Sequence, residues 1–228
     1  MKKKWVGIFG GLICFILVAG YAGAYTINDS PSDRIGNLPF ELYGIDVSQN
    51  GSNLRFDIYT NFPTDGYLVG SWYTKPGDLA IDVNKDGIYE HGLALTTHNG
   101  ITAGVLYDVS NWLISNDFAP SAGYIYNKDK IVQIGSGTPV SQTAAAVNWT
   151  SIGSNPVYDV NVEIPIGLLG TISGGEINIF YASATCANDF AGGPASVPEP
   201  GTMLLLGSGL MGLVGFRKKL ERKTHDLD

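Results

Sequence analysis

Alternation of apolar and polar residues with a period of two constrains this chain more than any other feature. Leu54, Phe56 and Ile58 alternate with Arg55, Asp57 and Tyr59. Tyr158, Val160, Val162 and Ile164 alternate with Asp159, Asn161 and Glu163, and Ile177, Ile179 and Tyr181 with Glu176, Asn178 and Phe180. Successive side chains of a strand point to opposite faces, so each run predicts a strand with one buried face. Shorter apolar runs predict strands over Phe40–Val47, Tyr67–Tyr73, Leu79–Val83, Gly92–Thr97, Gly104–Val109, Gly123–Tyr126 and Lys130–Ile134. Asn50-Gly51, Pro63-Thr64-Asp65-Gly66, Lys75-Pro76-Gly77, Asp86-Gly87 and Gly174-Gly175 supply turns between them. Ser110–Leu113 and Ile166–Leu169 read as single helical turns. About ten short strands without a long helical period predict an all-β fold, an antiparallel β-sandwich or jelly-roll-like ectodomain over residues 25–190.

The charges are segregated. Lys2, Lys3 and Lys4 open the chain, and Arg217, Lys218, Lys219, Arg222 and Lys223 nearly close it. Between Tyr25 and Val197 there are 6 basic and 17 acidic residues, within an overall net charge of −7. An acidic middle lacks the basic face that releases phosphate counterions, so nucleic acid is excluded as a general partner. Cys14 lies in the first segment, which leaves Cys186 as the one cysteine of the middle. No disulfide then closes within that domain, and packing must hold it.

Residues 1–24 have the three parts of a secretory signal: the lysine cluster, an apolar stretch from Trp5 to Val18, and Ala22-Gly23-Ala24 at a cleavage point. A signal helix recognised by the Sec export machinery and cut by signal peptidase after Ala24 leaves a chain beginning at Tyr25. An uncleaved anchor is the alternative. At the other end, residues 191–197 are small and read as a linker. An uncharged stretch then runs from Thr202 to Phe216, 15 residues, directly before the basic tail at 217–223. As a helix it measures about 23 Å, short of the roughly 30 Å hydrocarbon core. Arg217 and Lys218 help by snorkelling, and the positive tail stays cytoplasmic while the acidic domain faces outward.

Val197-Pro198-Glu199-Pro200, the short Gly/Leu-rich apolar stretch and the Arg/Lys tail, in that order, resemble the PEP-CTERM sorting signal of exported bacterial surface proteins. The resemblance spans Val197 to Arg222 or Lys223. It implies recognition by exosortase, a membrane protease-transpeptidase, through Pro198, Glu199, Pro200, Arg217, Lys218 and Lys219. It also implies a transient membrane anchor and cutting near Pro198-Glu199-Pro200. Such tails occur in bacteria that make extracellular polysaccharide, which makes exopolysaccharide an expected partner. Thr185-Cys186-Ala187-Asn188-Asp189 resembles a short segment found at this position in such proteins. Gly207-Ser208-Gly209-Leu210-Met211-Gly212 matches G-x-G-x-x-G, but it follows no strand and opens no βαβ unit, so it predicts no dinucleotide site.

The sharpest local constellation is Asp82-Val83-Asn84-Lys85-Asp86-Gly87-Ile88-Tyr89-Glu90. Ca²⁺ takes six to eight hard oxygen ligands. Asp82, Asn84 and Asp86 turn side chains toward one point, Gly87 permits the bend, and Ile88 offers a carbonyl and Glu90 a carboxylate. The pattern resembles calcium loops of the EF-hand, dockerin and FG-GAP kind. It departs from the EF-hand at Leu93, where that loop has a bidentate Glu, and its flanks read as strands. The expectation is a static calcium-clamped β-loop, with an ion-free Asx-rich turn as the alternative.

Catalytic patterns are scarce. His91 and His98 lack zinc-hydrolase spacing, and no G-x-S-x-G elbow occurs. The chain therefore reads as a non-enzymatic structural or binding component of the cell surface or extracellular matrix. A carbohydrate-binding or adhesive module using Trp72, Tyr73, Trp112 and Trp149 is the second reading. A secreted glycan-active hydrolase with two carboxylates about 5–9.5 Å apart is the third.

Overall fold

The computed structural model describes residues 24–30, 32–119, 124–141, 145–197 and Gly209. Gly23–Pro198 form one compact unit. Two antiparallel sheets build it. The first has the order β1 (Tyr25–Asn28), β2 (Leu42–Asn50), β3 (Asn53–Thr60), β11 (Tyr158–Pro165), β10 (Val147–Ser151). The second runs β13 (Phe190–Ser196), β12 (Glu176–Ala182), β6 (Leu79–Asp82), β7 (His91–Leu93), β8 (Leu106–Ile114), β9 (Ile131–Pro139). A separate hairpin joins β4 (Tyr67–Val69) to β5 (Trp72–Thr74). The all-β sandwich is the fold that the alternation predicts.

The alternating residues meet between the sheets. Ile45, Val47, Leu54, Phe56, Ile58, Val160 and Val162 from the first sheet are buried against Leu79, Ile81, Leu93, Ile177, Ile179 and Tyr181 from the second. Each such side chain contributes roughly 1.5–3 kcal/mol on burial. Phe40, Phe62, Ala184 and Cys186 form a smaller core with Tyr67, Val69, Trp72 and Tyr126 packed on it.

Irregular pairing between Val109 and Trp112 bends β8, and with β9 it forms a ribbon over the outer face of the second sheet. Trp112 donates its indole N–H to the Tyr89 carbonyl at 2.8 Å, and Asp78 N–H bonds the Val132 carbonyl at 2.8 Å. Gly92 is the residue beneath the ribbon, where a Cβ would lie 2.7 Å from the Trp112 ring and 2.8 Å from Ile134.

Strand direction defines two ends of each sheet. Glu176, Ser196 and Asp82 lie toward one end of the second sheet, and Asn53 and Pro165 share one end of the first with the Asn50–Asn53 turn. Leu42 and Thr60 mark the other end of the first sheet, and Leu79, Ala182 and Phe190 that of the second. Leu42 N–H donates to Asp189 Oδ2 at 2.8 Å and ties the start of β2 to the residue before β13 across the two sheets.

Several predicted boundaries change. Residues 191–197 are no linker: Phe190–Ser196 is an edge strand, and the Val197 N–H bonds the Gly175 carbonyl at 2.8 Å. Pro194 is accommodated because only one side of β13 is paired. Ser110–Leu113 belongs to β8 and not to a helical turn, whereas Ile166–Leu169 is a 3-10 turn. The run Tyr67–Tyr73 breaks into two strands at Gly70-Ser71. Tyr124–Tyr126 carries no strand.

Candidate metal centre and sorting tail

β6 ends at Asp82 and β7 begins at His91, with Ile81 opposite His91 as the last pair. That register sets Asp82 and Glu90 across the mouth of the hairpin. Strands, not helices, hold the loop, as the sequence predicts. Asp82 is fully buried. Its Oδ1 accepts from Lys85 N–H at 2.6 Å, and its Oδ2 from Gly87 N–H at 3.0 Å and Asn178 Nδ2 at 3.2 Å. Asn84 Oδ1 accepts from Asp86 N–H at 2.8 Å, and Asp86 Oδ1 from Ile88 N–H at 2.8 Å. Glu90 Oε2 accepts from Val83 N–H at 3.2 Å, while its Oε1 is buried without a partner.

Carboxylate oxygens of Asp82, Asp86 and Glu90 all lie within 4.8 Å of one another. The nearby cation, Lys85, turns its Nζ away to Glu176 Oε2 at 2.6 Å. Each carboxylate spends some lone pairs on the loop backbone and keeps others, since an ionised carboxyl has about four acceptor sites. The donor set is all oxygen and suits a hard cation such as Ca²⁺. Asn84 holds the turn through its side chain, and the Ile88 side chain points to solvent, 65% exposed.

A second acidic group lies at the opposite end and had no sequence signal. Oxygens of Asp29, Asp33 and Asp189 also lie within 4.8 Å of one another. Asp189 is buried, accepting Leu42 N–H and, at 3.0 Å, Phe190 N–H. Burial first, then the charges of Asp189 and Asp33, push the Asp29 carboxyl up to about 8. Burial likewise raises Asp189 to about 6, against the N–H groups that favour its charge. Two carboxyls that share one proton relieve such crowding.

The remaining candidate groups have structural partners. Cys186 is fully buried, and burial pushes its thiol up to about 12, which removes the thiolate needed for attack. His98 stands with Nε2 3.2 Å from Asp78 Oδ2, and both residues are buried. Burial opposes the charge on His98, but the hydrogen bond and charge of Asp78 outweigh it and hold the pKa above its ordinary value. Asp78 also accepts Leu95 N–H at 3.2 Å and Ile134 N–H at 2.9 Å. His91 Nδ1 sits 2.9 Å from Asp108 Oδ1. On the outer face of the first sheet, Asp57 binds the Arg55 guanidinium and Asp46 accepts from Thr26 and Tyr59. Trp72, Trp112 and Trp149 are half-buried in packing, whereas Tyr73 is 51% exposed opposite Leu68. One cavity of about 20 Å³, lined by Leu93, Leu106, Glu163, Ile164 and Leu168, has room for about one water.

Ala24 is exposed at the start of the described chain. Ala22, Pro198, Glu199, Pro200, Arg217, Lys218 and Lys219 lie outside the described residues, as do the expected signal helix and the expected membrane helix at 202–216. Among the described residues no helix is long and apolar enough to cross a membrane. No curated protein and no solved structure matches the chain. The family model of the PEP-CTERM protein-sorting motif matches residues 196–219, beginning on the last residue of β13. The chain thus carries a PEP-CTERM protein-sorting motif, the signal of an exported protein that exosortase sorts to the cell surface.

Proposed function

We propose that the working part of this exported protein is a non-enzymatic, calcium-stabilised β-sandwich serving as a structural or binding component of the cell surface or extracellular matrix. The convergence of Asp82, Asp86 and Glu90, with Glu90 Oε1 buried and unpartnered, carries the calcium reading. A cation there relieves the repulsion of three carboxylates and fastens the β6–β7 hairpin to its own loop. The buried carboxylates support a structural role, because Asp78 and Asp189 each accept backbone N–H groups from separate segments, and Asp82 joins its own loop backbone to the Asn178 side chain. Calorimetry tests the reading. Ca²⁺ is expected to bind at one site with a Kd on the order of 10⁻⁴–10⁻³ M, the extracellular range, and binding is expected to vanish in Asp82→Asn/Asp86→Asn. Absence of binding heat and of any thermal shift with millimolar Ca²⁺ would refute it.

Exposed Tyr73, beside Leu68 on the outer face of the β4–β5 hairpin, favours carbohydrate binding as a second reading. Aromatic faces stack on apolar faces of sugar rings. Retention of the protein by exopolysaccharide, lost in Tyr73→Ala with the fold intact, supports it; equal retention of both proteins opposes it.

A further inference from the structure

Outside both acidic clusters, one buried pair joins three segments of the second sheet. Asp78 stands directly before β6, and His98 lies in the 94–105 connection from β7 to β8. They are 1% and 5% exposed. Asp78 Oδ1 accepts Leu95 N–H, its Oδ2 accepts Ile134 N–H, and its own N–H donates to the Val132 carbonyl. A single residue thus holds the start of β6, the 94–105 connection and β9 together, where the β8–β9 ribbon folds over the sheet.

Geometry fixes how many protons the pair carries. His98 Nδ1 lies 2.9 Å from the Thr96 carbonyl oxygen, which only accepts, and Nε2 lies 3.2 Å from Asp78 Oδ2. Among the described residues nothing else pairs with Nε2. A neutral imidazole has one N–H, so beside an ionised Asp78 it sets a bare nitrogen lone pair against an oxygen. Two protons, one on Nδ1 and one between Nε2 and Oδ2, satisfy both contacts. An imidazolium with a carboxylate also leaves the buried pair without net charge, whereas removing one charge strands the other in the core.

The neighbouring groups do not supply that balance. Tyr181 of β12 is fully buried, its hydroxyl has no partner, and burial followed by the Asp78 charge raises its phenol. Gln133 of β9 is neutral and gives its amide to the Pro76 carbonyl at 2.8 Å. Among the described residues no lysine or arginine forms an ion pair with Asp78.

We infer that Asp78 and His98 form a proton-locked clasp that fastens the 94–105 connection and the β8–β9 ribbon to β6, and that opens when alkaline pH removes the shared proton. Burial raises the Asp78 carboxyl. Burial lowers the His98 ring, but Asp78 and the Thr96 carbonyl reverse this and hold it above its ordinary value of 6.5. A group raised in the folded state stabilises fully below its unfolded value and loses that contribution as pH rises through the folded one. The clasp is therefore complete below about 6.5 and weakens above it. Asn99 and Gly100, at the tip of the connection, are exposed, so a released His98 has a short path to water. This device stands apart from the calcium loop and does not depend on a cation there.

Histidine-labelled NMR and amide exchange on the full-length chain in detergent micelles test the clasp. The His98 signals are assigned by their loss in His98→Gln. Both His98 ring nitrogens are expected to carry protons, with a titration midpoint above that of the same chain unfolded in urea. Above that midpoint, exchange protection at the Leu95, Ile101 and Ile134 N–H groups should fall several-fold while amides of the first sheet keep theirs. In Asp78→Asn the His98 midpoint should drop below its wild-type position, because burial then acts alone. A wild-type midpoint at or below the urea value overturns the shared proton. Deprotonation of His98 with unchanged protection at 95, 101 and 134 overturns the clasp. Both of these readings come from the wild-type chain, so a variant that fails to fold leaves the test decisive.

Discussion

The two acidic clusters hold three carboxylates each within the same 4.8 Å, yet they are built in opposite ways. Asp82, Asp86 and Glu90 come from one nine-residue loop whose side chains bond its own backbone. Asp29 and Asp33 lie four residues apart, Asp189 comes from the far end of the domain, and this buried member fastens β2 to the start of β13. In the first cluster, spare lone pairs suit a cation. In the second, burial and mutual repulsion favour a bound proton. Equal numbers of carboxylates at equal spacing therefore give different chemistry, and the route by which the chain brings them together decides which.

The largest expected effect separates the clusters by structural weight. Asp189→Ala leaves the N–H groups of Leu42 and Phe190 without acceptors. At about 1–3 kcal/mol for each buried unsatisfied donor, less the relief of repulsion, urea unfolding should show a loss of roughly 2–4 kcal/mol. Asp86→Ala, at an exposed loop position, should cost under about 1 kcal/mol in chelator. Equal losses would erase the distinction between a clamp and a cation loop.

Calcium should sharpen the contrast at a smaller scale. At about ten to a hundred times Kd, Ca²⁺ adds roughly 1.4–2.7 kcal/mol, or about 3–10 °C in Tm for a domain of this size. Asp82→Asn/Asp86→Asn should abolish the rise, and Asp29→Asn should keep it. A rise that instead depends on Asp29 would move the cation to the other end.

The smallest effect is a pH dependence confined to the second cluster. The folded state raises Asp29 to about 8 and Asp189 to about 6, so it retains protons that the unfolded chain releases near pH 4. From these two groups stability therefore falls as pH rises from about 4 to 8. Asp29 is partly exposed, and solvent screening holds its share to under about 1 kcal/mol. Asp29→Asn should flatten the upper part of the slope between pH 6 and 8 in thermal melts. A slope unchanged by that substitution would place the retained proton elsewhere.

The same division explains what sequence reasoning reached. The core strands were legible because Leu54–Ile58, Tyr158–Ile164 and Ile177–Tyr181 each pack one face inward, and a period of two survives translation into three dimensions. The Asp82–Glu90 loop was legible because its groups are neighbours along the chain. Asp29 and Asp189 meet only after β1, β2 and β13 assemble, and nothing in their local sequence marks the meeting. Residues 191–196 misled because small residues suit both linkers and close-packed edges. At Gly192 a Cβ would lie 2.8 Å from the Ile179 carbonyl and 2.9 Å from the Phe180 ring, so smallness there serves close approach to β12. β10 escaped notice as a largely exposed edge strand with little apolar contrast.

Intact-mass and terminal-peptide mass spectrometry of the protein from cells that contain exosortase tests the sorting of this domain most directly. The expected product begins at Tyr25 and ends within or just after Pro198–Pro200, with all of β13 retained. A chain that still ends at Asp228, or one cut inside Phe190–Ser196, would contradict it.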